Sequence, residues 1–265
     1  MTGETRVESH VKSHKVITLQ SLSRACSDCR LQDLCLPIGI SREDIDRLDS
    51  IVNRRRPLQR GTTLYDQGQH FDALYAVRSG SIKSFTRDDD GTEQINAFYL
   101  PGEILGLDAI NANSHPGAAV ALETTSVCEL PFDRLHVLAQ HVEGLQHQLL
   151  RIMSREINAD ERFMRVLANR NAEARLAGFL LNLSARYSIR GYSSTEFNLS
   201  MSRNDIGNYL GLAMETVSRL FTRFQQDGLI EAHRKAIRIL QREALTGLAD
   251  GSTPTDRINH GHGPT

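Results

Sequence analysis

The chain has 265 residues, of which 40% are hydrophobic and 24% charged, and a formal net charge of −1. That length supports two modest domains with their own cores, and no apolar run approaches the roughly 18 residues that a membrane helix needs. The G-x-S-x-G, P-loop and H-E-x-x-H signatures are all missing, so membrane and enzymatic classes are disfavoured from the start.

The opening run MTGETRVESHVKSHK lacks the continuous apolar segment of a secretory leader, so a cytoplasmic, reducing location is expected, where cysteines persist as thiols. The first twenty residues have no periodicity and read as a flexible tail. Cys26-x2-Cys29-x5-Cys35 then forms a compact tripod, with a lone Cys128 about ninety residues later. Zinc ribbons use two close pairs, whereas an iron-sulfur cluster needs four thiolates. On spacing alone a cluster, a zinc ion and unrelated free thiols stay equally open.

From Leu58 to Phe132 short apolar stretches at 73–77, 81–85, 94–99 and 127–130 alternate with Gly68, Gly80, Gly91 and Gly102. This pattern predicts a small antiparallel barrel or sandwich. Asp88-Asp89-Asp90-Gly91 between two such runs is expected to be a solvated hairpin tip.

From Val142 onward the spacing of Leu145, Leu149, Met153, Ile157, Met164 and Leu167, free of proline, predicts one long amphipathic helix. Asp160 interrupts the ladder. Either it lies at the edge of the stripe or it faces a partner helix, where two carboxylates would repel and make a dimer conditional. A second helix is expected over 172–187.

The run RNDIGNYLGLAMETVSRLF meets the constraints of a helix-turn-helix: Ile206, Leu210, Val217 and Leu220 are apolar, Gly207 is small at the helix contact and Gly211 takes the turn. The second helix, over 214–226, would bury Val217, Leu220, Phe221 and Phe224 and expose Glu215, Ser218, Arg219 and Arg223. Arg pairs with guanine, Glu accepts from cytosine and Ser serves either, so Glu215, Ser218 and Arg219 suit base edges. Arg223, Arg203 and the turn His233-Arg234-Lys235 suit phosphates, and 229–232 with 236–240 make a hairpin wing. Between Met201 and Leu240 six basic residues meet four acidic ones, a local surplus hidden by the net charge. After about Thr246 the chain is poor in apolar residues and reads as a disordered tail, with His260 and His262 unremarkable.

The three-plus-one cysteines, the β-rich region, the long helix and the run SRNDIGNYLGLAMETVSRLFTRFQQDGLI together resemble the FNR oxygen-sensing branch of the CRP-FNR transcription regulators, over roughly residues 26–240. The resemblance implies an α+β protein: a cyclic-nucleotide-binding-like β-roll, a long dimerisation helix and a C-terminal winged helix-turn-helix. It divides the chain into a tail (1–20), a cluster-binding segment with the β-roll (21–143), the dimerisation helix (144–170), the DNA-binding domain (171–243) and a disordered tail (244–265). It implies a [4Fe-4S] cluster on Cys26, Cys29, Cys35 and Cys128 that favours the dimer, with Met153, Ile157, Asp160 and Met164 at its interface. It further implies double-stranded DNA at a palindromic site as target, base reading by Glu215, Ser218 and Arg219, and contact with RNA polymerase through surface loops such as that near Gly91. Two departures are informative. His115-Pro116 stands where nucleotide-binding members carry an Arg-Ser pair, so the cationic phosphate clamp is missing. Arg30, next to Cys29, replaces a small polar residue and changes the charge beside a cluster ligand.

Overall fold

The computed structural model describes residues 26–251 except 33, 169 and 170, so the expected tail at 1–20, His260 and His262 lie outside the described residues. A 3₁₀ turn at Cys26–Asp28 leads through successive turns to helix α1 (Arg42–Ile51). Ser41 starts that helix by accepting a hydrogen bond from the Asp44 amide. Eight strands follow: β1 (Asn53–Arg54), β2 (Thr63–Tyr65), β3 (Ala73–Ser79), β4 (Ile82–Arg87), β5 (Glu93–Tyr99), β6 (Ile104–Leu105), β7 (Ala118–Ala121) and β8 (Ser126–Pro131). They form two antiparallel four-stranded sheets, ordered β1-β8-β3-β6 and β2-β7-β4-β5, which pack into the β-roll.

Strand β3 explains how this roll carries helices. Its apolar run does not alternate with polar residues because both faces are buried. Ala73, Tyr75 and Val77 pack with Ile82, Leu105, Ala119 and Val127 between the sheets. Leu74 and Ala76 turn the other way, onto Leu48 of α1, Leu135 of α2 (Phe132–His141) and Leu145 of α3 (Glu143–Ala168). Each fully buried leucine contributes roughly 1.5–3 kcal/mol relative to exposure. The acidic tip is a hairpin turn as expected, closed by the Gly91 amide donating to the Asp88 carbonyl at 2.9 Å.

Helix α3 has 26 residues and is about 39 Å long. The sequence ladder ran two of its faces together. Leu145, Leu149 and Ile152 belong to the β-roll core, whereas Leu150, Met153, Ile157 and Met164 project outward with 60, 39, 60 and 66% of their surface exposed. Asp160 sits in register on this second stripe, between Ile157 and Met164.

The C-terminal third contains α4 (Ala172–Ser188), β9 (Glu196–Asn198), α5 (Arg203–Leu210), α6 (Met214–Gln226), β10 (Ile230–His233), β11 (Ala236–Ile239) and α7 (Arg242–Ala249). Strands β10, β11 and β9, in that order, form the wing. Residues 244–251 correct the reading of a tail beginning at 244. Helix α7 continues to Ala249 and buries Leu245 completely, because Leu245 finishes a core that α4 and the wing leave open.

This third is joined to the β-roll by one hydrophobic core, in which Phe85, Ile95, Phe98 and Leu100 meet Leu176, Leu180, Ile206 and Leu210. Polar contacts align it. Asn208 of α5 pairs with edge strand β5 as a peptide group would, its Oδ1 accepting from the Ile95 amide and its Nδ2 donating to the Glu93 carbonyl, both at 2.6 Å. Glu103 binds two arginines of the α4 end, Arg186 and Arg190, the latter at 2.5 Å. Burial alone would raise the Glu103 carboxyl, but the two guanidiniums outweigh it and hold it below its ordinary range.

Candidate functional site

Cys26, Cys29, Cys35 and Cys128 are all free thiols and line one narrow apolar cavity, walled by Leu36, Ala76 and Leu130. The first three come from the turns before α1, and the fourth from β8, where Cys128 pairs with Ala76 of β3 and Arg54 of β1. Local hydrogen bonds shape the tripod: the Cys29 amide donates to the Cys26 carbonyl at 3.2 Å and the Cys35 amide to the Leu31 carbonyl at 3.0 Å. Among the described residues no three His, Cys, Asp or Glu side chains draw close enough to hold one metal ion. The four cysteines therefore surround a space and do not converge on a point.

Burial dominates their chemistry. It pushes the Cys35 thiol up to about 12 and raises Cys26 and Cys128 as well. Ionising Cys26, Cys35 and Cys128 in this apolar setting takes a nearby positive charge, of which Arg54 supplies part to Cys26 and Cys128. Asp49, which sequence reasoning missed, braces the first cysteine. Its carboxylate accepts from the Cys26 amide at 2.8 Å and pairs with Arg54. Burial opposes its charge, yet the hydrogen bonds from Cys26 and Arg54 keep it below the usual carboxylate range. Arg30 is exposed beside Cys29.

The cysteine loop touches helix α3 directly. Gln148, 1% exposed, donates from Nε2 to the Cys35 carbonyl at 3.1 Å. One turn earlier, a Cβ on Gly144 would lie 2.8 Å from the Ile40 side chain, so the loop approaches α3 as closely as its backbone permits. Neither Gln148 nor Gly144 stood out in the sequence. A glutamine inside an apolar ladder was the available signal.

The helix-turn-helix has the expected geometry. Ser202 and Asp205 form a reciprocal capping box on α5. Gly211 turns the chain with φ 63°, and a Cβ on Gly207 would lie 2.6 Å from the Leu212 carbonyl oxygen, which forces glycine at the helix contact. Helix α6 buries Val217, Leu220, Phe221 and Phe224 and leaves Glu215, Ser218 and Arg219 exposed on one face. Arg223 is also exposed, but it pairs with Glu173 of α4 and, at 3.6 Å, with Asp227. Its charge is thus partly used within the chain. Arg203 is half-buried, its guanidinium carbon 3.3 Å from the centre of the Phe221 ring. In the β-roll, His115 is 1% exposed, stacks 3.7 Å from Tyr65 and is held neutral by burial, so it offers a phosphate no charge.

A β-roll running through one long helix into a winged helix-turn-helix, with an exposed polar face on α6, defines a DNA-binding transcription regulator and not an enzyme. The comparisons agree. A Crp-like helix-turn-helix domain matches residues 174–248 and a cyclic nucleotide-binding domain matches 55–141. The chain is 55% identical to the transcriptional activator protein Anr of Pseudomonas protegens, covering 95% of this chain and 99% of that protein. It is 46% identical to the fumarate and nitrate reduction regulatory protein of Escherichia coli, covering 84% and 90%. The structure of FixK2 from Bradyrhizobium japonicum superimposes with a TM-score of 0.68 at 30% identity, covering 75% and 97%. The chain belongs to the CRP-FNR family of transcription regulators. No described helix is long and apolar enough to cross a membrane.

Proposed function

We propose that this regulator is a cytoplasmic oxygen sensor that binds a [4Fe-4S] cluster on Cys26, Cys29, Cys35 and Cys128 and, as a homodimer, binds a palindromic DNA site only while the cluster is intact. The observation that carries this reading is the cysteine loop itself, whose cavity is lined by all four thiols and whose Cys35 carbonyl is held by Gln148 of α3. Geometry supports a cluster over a single zinc ion: the four sulfurs that line the cavity surround a space, and among the described residues no three of them draw close enough to hold one ion. When bound, the cluster supplies an oxygen-labile crosslink between the tripod and β8. The chain's own residues do the rest. Gln148 and Gly144 transmit the position of the loop to α3. The outward stripe of Leu150, Met153, Ile157 and Met164 then pairs with its copy, with Asp160 as the opposing charge.

At the DNA, Glu215, Ser218 and Arg219 read base edges in each half-site, and the two-fold of the dimer demands a palindrome. Arg203 and the wing residues Arg234 and Lys235 meet phosphates, with a smaller share for Arg223. The exposed loop at 88–91 is available to RNA polymerase. The reading is tested by preparing the protein without oxygen. It requires visible absorption that bleaches in air, with iron and sulfide in the proportion of one cluster per chain. A colourless, air-stable protein holding zinc would overturn it.

A further inference from the structure

Cys128 is the one cysteine of the four that a sheet contributes, and two arginines flank it there. In the strand order β1-β8-β3, Cys128 pairs directly with Arg54 of β1 and with Ala76 of β3. Directly paired residues share a face of the sheet, as the next pair shows on the opposite face, where Asn53 Nδ2 donates to Glu129 Oε1 at 3.1 Å. Beyond Ala76 the register with β8 shifts between Val77 and Ser79, so that Arg78 is the extra residue of a β-bulge. Bulges re-aim a side chain, and Arg78 lines the cysteine cavity together with Ala76 and Cys128.

Both arginines have donors to spare. Arg54 gives one terminal nitrogen to Asp49, whose carboxylate also accepts from the Cys26 amide at 2.8 Å, but the Arg54 Nε is buried without a hydrogen-bond partner. Arg78 is half-buried and, among the described residues, forms no ion pair. Buried polar groups are nearly always satisfied, so these donors point to an acceptor that the chain does not itself supply. The charges of both arginines favour the thiolate of Cys128, and Asp49 is the carboxylate that opposes them. Cys35 has Arg155 of α3 in the same role.

Four cysteinyl sulfurs outweigh the positive charge of a [4Fe-4S] core, so the group they would hold is anionic, and an apolar cavity accepts an anion only with cations or donors beside it. We propose that Arg54 and Arg78 are the charge partners of the cluster: flanking Cys128, they offset the negative charge of the bound sulfurs and set how slowly air removes it. This rests on the cluster reading and deepens it, because it places control of cluster lifetime on the sheet side of the cavity as well as on the cysteine loop. Net charge and hydrogen bonds to the sulfurs are the terms by which a protein tunes such a group.

The test uses wild type, Arg54→Gln, Arg78→Gln, Arg78→Lys and Asp49→Asn, each loaded without oxygen and assayed for iron, sulfide and visible absorption. Two quantities are read: the rate of bleaching in air-saturated buffer, and the reduction potential titrated through the visible absorption. Both glutamine variants should bleach roughly 3- to 10-fold faster and show a lower potential, because a positive charge beside an anionic group has been removed. Arg78→Lys keeps that charge and should stay within about 2-fold of wild type. Asp49→Asn keeps an acceptor for the Cys26 amide but removes the opposing charge, so it should bleach more slowly and show a higher potential, a sign that a loosened fold does not produce. Wild-type rates and potentials in both glutamine variants would overturn the proposal. So would an Arg78→Lys as labile as Arg78→Gln, or an Asp49→Asn that fails to shift in the opposite direction. If the glutamine variants do not load, Asp49→Asn and Arg78→Lys decide. A wild type that takes up no iron and sulfide would overturn the cluster reading itself.

Discussion

Gln148 and Cys35 are 113 residues apart in the chain, yet the buried Gln148 side-chain amide donates to the Cys35 carbonyl. This is a direct hydrogen bond from the cysteine loop to the helix that carries the exposed outer stripe. A buried hydrogen bond of this kind, once its donor is removed, costs about 1–3 kcal/mol.

Replacing Gln148 by Leu should therefore leave the anaerobic absorption in place and weaken dimerisation and DNA binding by roughly 5- to 100-fold. Sedimentation and DNA titration of the coloured variant measure this. Unchanged dimerisation would show that the loop signals by another route.

Asp160 should restrain the dimer. Two carboxylates about 8 Å apart at an effective dielectric constant of 20 repel by about 2 kcal/mol, roughly 30-fold in a dissociation constant. Asp160→Ala is expected to dimerise and bind DNA in air, as read by sedimentation. An aerobic Asp160→Ala that stays monomeric would place the carboxylate outside the seam.

Arg219 and Arg223 should separate cleanly. Arg219→Ala is expected to lose about 1–3 kcal/mol of binding and to relax preference at one base pair of each half-site. Arg223→Ala, which removes a guanidinium already shared with Glu173, should weaken all sequences alike and by less. Binding to a panel of single-base variants of the site distinguishes the two.

Glu103 should govern how firmly the DNA-binding third docks. Arg190 is 1% exposed at its side chain, so Glu103→Gln leaves a buried cation poorly paired, at about 2–3 kcal/mol and roughly 5–10 °C in melting temperature. The pH dependence has a definite sign. The Glu103 carboxyl lies below its unfolded value of about 4.3, so its contribution is complete above that pH and is lost as the pH falls through the lower folded value. Below about pH 4.3, Glu103→Gln should therefore show a flatter stability profile than wild type. Parallel acid unfolding curves would contradict this role.

The parts legible in sequence were those set by local offsets. Gly207, Gly211 and the apolar positions of α6 stand at distances that few chains meet by accident, and β3 to β5 are bounded by glycines. Helix α3 was harder, since two apolar stripes on one helix merge into a single ladder when read along the chain. Only the fold separates Leu149, packed inward, from Leu150, turned outward. Helix α7 was hidden by its short, weakly apolar composition, which becomes a helix because Leu245 fills a tertiary gap. Gln148 with Cys35 is a pairing of distant segments, which nothing in their spacing along the chain announces.

The most direct test of the oxygen-sensing account follows one anaerobic sample through exposure to air, recording visible absorption, sedimentation and DNA binding on the same clock. The account predicts that colour, dimer and DNA binding decay together. Bleached protein that remains dimeric and holds its DNA would contradict it.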